Sequence, residues 1–516
     1  KNMFVTYNIR VILFLLLDAS LASWSLVTSP MVRQLGTALR DFSEEECVKN
    51  EKLQVIGEIP QWLRGAYVRN GPGCWSVKED GRAMHLFDGF AMMSRIELGE
   101  SVSLTCKFLQ SKAFNHAKNN GRRLFSEFGT PQSGMKELVL GLFQGLTTDN
   151  ACVSFIQKNN KLIAMSEPAT AAYEIDPESL ETISQWLPSG PSTGLIQTAH
   201  GKFLCDELIN IGTSLLPKPI YTVFQVNMET QQKKIIAQIK SQSANDAAWI
   251  HTFGLTKDGY VIFFETPAVY NVAALAGTGN AQHVTFDWKP QRGTWAHIVH
   301  IETGTVQTYK CPSNFFIFHC ANAFSLPNEN KICIDFAAFE NANMIDALCL
   351  DNMSNKEYDI PKSRLARLTF DLNSLDNLNF DYLDNPLSSG SFCEFVHVNP
   401  AWSGICTHFV YGLGARRPTT AANILTKTSI KTRSTQQFQT YLDYVAFGEP
   451  TFVPRTHHTL EDTEDDGVVL AIAHTAQGEA HLLILDARQC SEIARIIIPF
   501  PGLPYGFHGL WTSSQV

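Results

Sequence analysis

Short apolar runs recur along most of the chain, separated by Gly, Asn and Asp. Residues 161–166 (Lys-Leu-Ile-Ala-Met-Ser), 259–265 (Gly-Tyr-Val-Ile-Phe-Phe-Glu), 331–336 (Lys-Ile-Cys-Ile-Asp-Phe), 467–473 (Gly-Val-Val-Leu-Ala-Ile-Ala) and 481–486 (His-Leu-Leu-Ile-Leu-Asp) are examples. Each is rich in β-branched, aliphatic or aromatic residues with turn formers nearby, the signature of a strand. Residues 172–181 and 368–373 read as strand-turn pieces of propeller blades. Helical periodicity is sparse: 133–146 is the best candidate and 268–275 a weaker one. The pattern predicts an all-β body with a small helical cap, although the repeats are too degenerate to count blades. With 516 residues the chain is long for one ordinary domain. A propeller accommodates that length, because each blade needs only ~40–50 residues.

The first residues follow a different pattern. Arg10 precedes the apolar run 11–17, and small residues fill 19–23. A basic residue, a short apolar core and a small-residue site make residues 1–23 signal-peptide-like. The run is too short to span a bilayer as a helix. Residues 24–45, with Ser, Thr and Arg, form a possible transit or linker segment. A two-part signal of this kind can deliver a protein to a complex plastid, so a plastid is the expected location, with a cytoplasmic or membrane-peripheral one as the alternative. The chain opens on Lys1, so it is expected to be a fragment or to start upstream of Met3. Nothing after Ser43 has the composition of a linker, and 46–516 is expected to be one domain.

Composition narrows the function classes. The net charge of −9 and the lack of a basic run exclude a nucleic-acid footprint, which needs a basic face. Phe is abundant, with 33 copies against 13 Tyr and 9 Trp. Phe has no polar atom to satisfy, so the surplus suits a large dry core or a cavity for an apolar ligand. The 12 Cys are scattered, with no C-x-x-C. That spacing fits neither a disulfide framework nor a structural zinc site, and the thiols are expected to be mostly buried in a reducing compartment.

Of 15 histidines, four stand out by context: His200 in Gln-Thr-Ala-His-Gly, His251 in Ala-Trp-Ile-His-Thr-Phe-Gly, His319 in Phe-Phe-Ile-Phe-His-Cys-Ala-Asn and His508 in Tyr-Gly-Phe-His-Gly-Leu-Trp. Most lie beside aromatic residues in apolar surroundings, where an imidazole must find a partner. Far apart in sequence, they can converge at the axis of a closed β-structure. Taken singly, each also fits a satisfied core histidine. His457 and His458 fall in a polar loop, and His297 and His300 on an expected solvated strand. Asn-Gly-Pro-Gly at 70–73 is a turn signal.

Ordered motifs decide between these readings. They begin with Leu63-Arg-Gly-Ala-Tyr-Val-Arg-Asn-Gly-Pro-Gly, His85-Leu-Phe-Asp-Gly-Phe, Phe125-Ser-Glu-Phe-Gly-Thr-Pro and Thr148-Asp-Asn. Trp249-Ile-His-Thr-Phe-Gly-Leu-Thr, Tyr411-Gly-Leu-Gly, Glu464-Asp-Asp-Gly-Val-Val-Leu and Tyr505-Gly-Phe-His-Gly follow. From about Asn50 to Trp511 the sequence resembles the carotenoid cleavage oxygenase family, relatives of the retinal pigment epithelium isomerohydrolase. The resemblance implies a seven-bladed β-propeller with a small helical and loop dome on one face and an axial iron site. It implies one Fe(II) per chain on His200, His251, His319 and His508, with Glu167, Glu394 and Glu449 behind three of them. It further implies an apolar polyene substrate, O2 as co-substrate, oxidative cleavage of a C=C bond to two carbonyl products, and contact with a membrane surface. The apolar segment 138–146 is a candidate for that contact, with a packed cap helix as the other reading. Isomerohydrolysis on the same scaffold, or a propeller that binds carotenoid without catalysis, remain alternatives. One departure matters. The family pattern Ala-His-Pro-His is here Ala199-His200-Gly201-Lys202, which loses the rigid Pro and the second His. Cys320, next to His319, is expected to pack rather than bind metal, since strand neighbours face opposite sides.

Overall fold

The computed structural model describes residues 35, 38–131, 147–275, 279–355, 357–455 and 463–513. The signal-like segment 1–23, the helix expected at 133–146 with its apolar patch, and His457–His458 lie outside them.

Seven antiparallel sheets of four to six strands form the blades. Blades 2 to 6 are each local in sequence, and the other two close the ring. In blade 1, Gly65–Arg69 and Phe90–Leu98 come from the N-terminal part, while Gly509–Ser513 comes from the C-terminal end and pairs with Gly65–Arg69. In blade 7, Gly467–His474, Ala480–Asp486 and Ser491–Ile498 are joined by the early strand Gln54–Gly57. Each end of the chain thus completes a blade built mostly from the other end. Leu35, Ala38, Leu39 and Phe42 are buried, so packing extends upstream of these strands.

The strands read from the pattern are present. Lys161–Met165, Tyr260–Glu265, Lys331–Phe339, Gly467–His474 and Ala480–Asp486 match the expected runs. Central strands such as Gly467–His474 are buried along their whole length, because neighbouring blades cover both faces of each sheet. This explains one departure. His297, expected on a solvated strand, is fully buried in Trp295–His300, which lies between Tyr260–Glu265 and Val306–Lys310. Its Nε2 is 3.1 Å from Glu265 Oε2 and its Nδ1 is 3.0 Å from Thr308 Oγ1. The helix expected over 268–275 begins as the strand Ala268–Tyr270, paired with Phe286–Trp288, and only Val272–Leu275 is helical.

Helix is a minor component. Lys112–Asn120 has Ser111 as N-cap, its hydroxyl accepting from Phe114 N–H at 3.1 Å, and Gly121 in the left-handed region as C-cap. The short helices Val272–Leu275, Asn343–Ala347 and Leu350–Ser354 contribute Val272, Leu275, Met344 and Met353 to the roof of one large cavity. No helix among the described residues is long and apolar enough to cross a membrane. All 12 cysteines are unpaired and seven are buried. Cys320 packs inside with Sγ toward Asn322 O at 3.5 Å, and burial pushes its thiol up to about 12.

Candidate metal centre

Each blade delivers one polar side chain to the axis. His200 precedes Lys202–Leu204 in blade 3, His251 precedes Gly254–Leu255 in blade 4, and His319 precedes Cys320–Leu326 in blade 5. His508 precedes the closing strand Gly509–Ser513 of blade 1. Blades 2, 6 and 7 supply Glu167, Glu394 and Glu449. The four imidazoles therefore arrive from strand starts that face the ring's centre, which is how residues up to 308 positions apart meet.

One nitrogen from each of the four rings lies within 4.8 Å of the others, an arrangement that can hold a metal ion. His200 Nε2 is 3.2 Å from His251 Nε2, and His319 Nε2 is 3.1 Å from His508 Nε2. The carboxylates settle the tautomers. His251 Nδ1–H donates to Glu167 Oε1 at 2.5 Å, and His508 Nδ1–H to Glu449 Oε1 at 2.7 Å. His319 Nδ1–H donates to Glu394 Oε2. A neutral imidazole protonated on Nδ1 presents a bare lone pair on Nε2. The facing lone pairs of His319 and His508, 3.1 Å apart, repel unless a cation sits between them. Two nitrogens bound at about 2.1 Å and at right angles to one centre are separated by roughly 3 Å, so the spacing fits adjacent ligands of one metal. Burial first, and then the neighbouring imidazoles, hold His200 well below the usual imidazole range. Burial likewise holds His319 well below it and brings His508 down to about 4, so these rings stay neutral and their nitrogens are able to bind a metal.

The partners differ among the rings. Glu167 Oε1 also accepts from Trp249 Nε1–H at 2.7 Å. Burial pushes the Glu394 carboxyl up to about 7, and its Oε1 is buried without a partner. Burial alone would raise Glu449 too, but the imidazoles of His508 and His397 hold it well below the usual carboxylate range. His200 has no carboxylate, and among the described residues nothing accepts from its Nδ1. Its ring is wedged edge-on against His508, His251 and His319 at centroid distances of 4.4, 4.8 and 5.2 Å. A Cβ on Gly201 would lie 2.8 Å from Leu208 Cδ1. His397, which sequence reading passed over, hydrogen-bonds Glu449 at 2.9 Å.

Above three of the rings lies a cavity of about 560 Å3, lined by His251, His319, His508 and mostly apolar side chains. Phe87, Phe128, Phe286, Phe318, Phe392, Phe395 and Phe507 all face it, so the Phe surplus serves both core and cavity. Trp249 stacks on Phe286 at 4.5 Å, and Phe395 on His319 at 4.9 Å, which fixes the wall to the ligand rings. Glu127 is an acidic residue of the same cavity lining. Thr148 Oγ–H donates to it at 2.9 Å, and burial, with Asp88 nearby, pushes it up to about 8.

Fold and site together define a class: a seven-bladed propeller with a four-imidazole metal site on its axis beneath an apolar cavity. Comparison with known proteins is in line with this. The family model described as "Retinal pigment epithelial membrane protein" matches residues 41–513. Among curated proteins, the chain is 30% identical over 490 residues to carotenoid cleavage dioxygenase 8, chloroplastic, of Arabidopsis thaliana, covering 90% of this chain and 84% of that protein. It is 29% identical to carotenoid cleavage dioxygenase 8 homolog A, chloroplastic, of Oryza sativa subsp. japonica, covering 93% and 89%. It is 27% identical to the mitochondrial carotenoid-cleaving dioxygenase of Homo sapiens, covering 90% and 89%. Among solved structures, a Glu-to-Gln mutant of Synechocystis apocarotenoid oxygenase superposes with a TM-score of 0.79 at 21% identity, covering 94% of this chain and 99% of that one. The chain belongs to the carotenoid cleavage oxygenase family.

Proposed function

We propose that the protein is an iron(II)-dependent dioxygenase that cleaves a conjugated C=C bond of a carotenoid or apocarotenoid with O2, giving two carbonyl products. The observation that carries this reading is the set of bare imidazole nitrogens opening onto a cavity walled by phenylalanines. In this reading His200, His251, His319 and His508 hold one Fe(II) per chain, and Glu167, Glu394 and Glu449 orient three of them. Imidazole suits iron(II), and four neutral donors would leave the metal its full positive charge. Bound there, iron supplies the O2 activation that an organic side chain cannot. The protein's own part is positional. Aromatic walls receive a flat, rigid polyene without asking it for a polar contact, and they exclude the water that would divert the reaction. The cavity volume falls in the range of about 300–1,000 Å3 typical of small-molecule sites.

The substrate's insolubility bears on where the cavity opens. Leu195, Leu216 and Val272 line it and are nevertheless 53%, 70% and 42% exposed. An exposed apolar rim on a substrate passage is suited to lie against a bilayer surface. A plastid location is supported by the names of the rice and Arabidopsis relatives and by the signal-like residues 1–23.

The test is incubation of purified protein with a panel of carotenoids and apocarotenoids, with products identified by mass. Cleavage is expected to give two carbonyl fragments whose masses sum to substrate plus O2, in protein carrying about one iron per chain. Iron-loaded protein that leaves the whole panel intact would contradict the reading.

A further inference from the structure

The strand Glu394–His397 carries two polar side chains that serve the same site, although a regular strand would point them to opposite faces. The pairing shows why. Glu394 pairs with Leu413 and His397 with Tyr411, so three steps on one strand match two on the other. This is a β-bulge, which re-aims side chains beside active sites. Phe395 takes up the extra residue at φ 47, a left-handed backbone that a bulky residue rarely adopts. Its ring lies 4.9 Å from His319 and 5.2 Å from His508. The bulge turns Glu394 toward His319 and His397 toward the carboxylate behind His508.

That carboxylate is held more completely than its counterparts. Glu449 Oε1 accepts from His508 Nδ1–H at 2.7 Å and from His397 Nε2–H at 2.9 Å, and Oε2 accepts from Gly509 N–H at 2.9 Å. Glu394, by contrast, receives His319 and the Phe395 N–H and leaves one oxygen bare. The His397 side chain is 35% exposed, so its bond ties the buried carboxylate to the edge of solvent.

We propose that His397 is a positioning residue of the metal centre, fixing the Glu449 carboxylate on His508 through a hydrogen bond that the bulge at Phe395 makes possible. The proposal rests on the assignment of His508 as a metal ligand. A carboxylate that receives three N–H groups has one orientation and stays anionic, and an anionic partner makes the ligand imidazole a better donor to the metal. His508 is then the most firmly held of the four rings, and His397 acts on the metal without touching it.

The experiment measures metal release from the full chain into a coloured chelator, for wild type, His397→Gln and His397→Leu. Gln keeps an N–H donor near the imidazole's reach and Leu does not. The Leu variant is expected to release metal ~10–100-fold faster, the range for loss of an outer partner. The Gln variant should stay near wild type, and thermal midpoints should change little. Combining His397→Leu with Glu449→Ala should cost less than the two separate effects added, because each removes the same His397–Glu449 bond. Should Leu fail to fold, His397→Ala at this half-exposed position carries the same comparison. Equal release by wild type and the Leu variant, or loss that Gln does not restore, overturns the proposal. The measurement is repeated with Co(II) and Zn(II), which also suit imidazole. A centre that holds these ions but not iron refutes the iron reading while the release rates still decide the role of His397. A chain that binds none of the three overturns both.

Discussion

At the residue scale, the carboxylates behind the ligands make the sharpest predictions. Glu167→Ala should weaken metal binding ~10–100-fold in chelator competition, and Glu167→Gln should cost less, because an amide oxygen still accepts from His251. Equal losses from Gln and Ala would mean that charge, not the hydrogen bond, is what His251 needs. Two histidines outside the centre set an acid limit. Burial lowers His85 to about 4 and His474 to about 3, the latter helped by the Arg69 cation. Below the unfolded value of about 6.5 the unfolded chain takes up protons that the folded chain refuses, so stability falls as pH drops toward the folded values. Each contributes a slope of up to about 1.4 kcal/mol per pH unit in that window. His474→Leu should flatten the fall of the thermal midpoint between about pH 6.5 and 4.5 relative to wild type. Parallel curves would contradict this. The four axial histidines were visible in the sequence, but each looked like a satisfied core histidine, and the family motifs alone joined them. Glu167, Glu394 and Glu449 had no local signal, since a carboxylate near a turn is ordinary. His397 was hidden for a specific reason: strand alternation sends it away from Glu394, and only the bulge brings it back.

At the element scale, strand runs were legible because central strands buried on both faces read as continuous apolar stretches. The same two-sided burial misled at His297, where polar residues in a strand suggested solvent and in fact bond to Glu265 and Thr308 inside a blade. Ring closure was not legible, because pairing between the two ends of a chain leaves no local pattern. It can be tested at Gly57, in the early strand that completes blade 7. Its φ is 91, and a Cβ there would stand 2.4 Å from Ile493 O. Gly57→Val should therefore cost about 1–3 kcal/mol in denaturant unfolding. An unchanged midpoint would mean that this clasp does not bear on stability.

At the scale of the whole molecule, the ring holds four imidazoles at its centre, the short helices roof a cavity over them, and exposed leucines rim its mouth. If that rim meets a bilayer, Leu195→Lys with Leu216→Lys should reduce sedimentation with neutral liposomes and slow turnover of liposome-borne substrate while leaving detergent-dispersed substrate unaffected. Undiminished liposome binding would place the membrane contact elsewhere. The central claim is that the axial centre uses O2 to cut the polyene. The most direct test is a single-turnover reaction under isotopically labelled O2, stopped quickly enough that the carbonyls do not exchange with water. The account predicts label in both carbonyl products. Cleavage products without label from O2, or an isomerised product without cleavage, would contradict it and favour isomerohydrolysis on this scaffold.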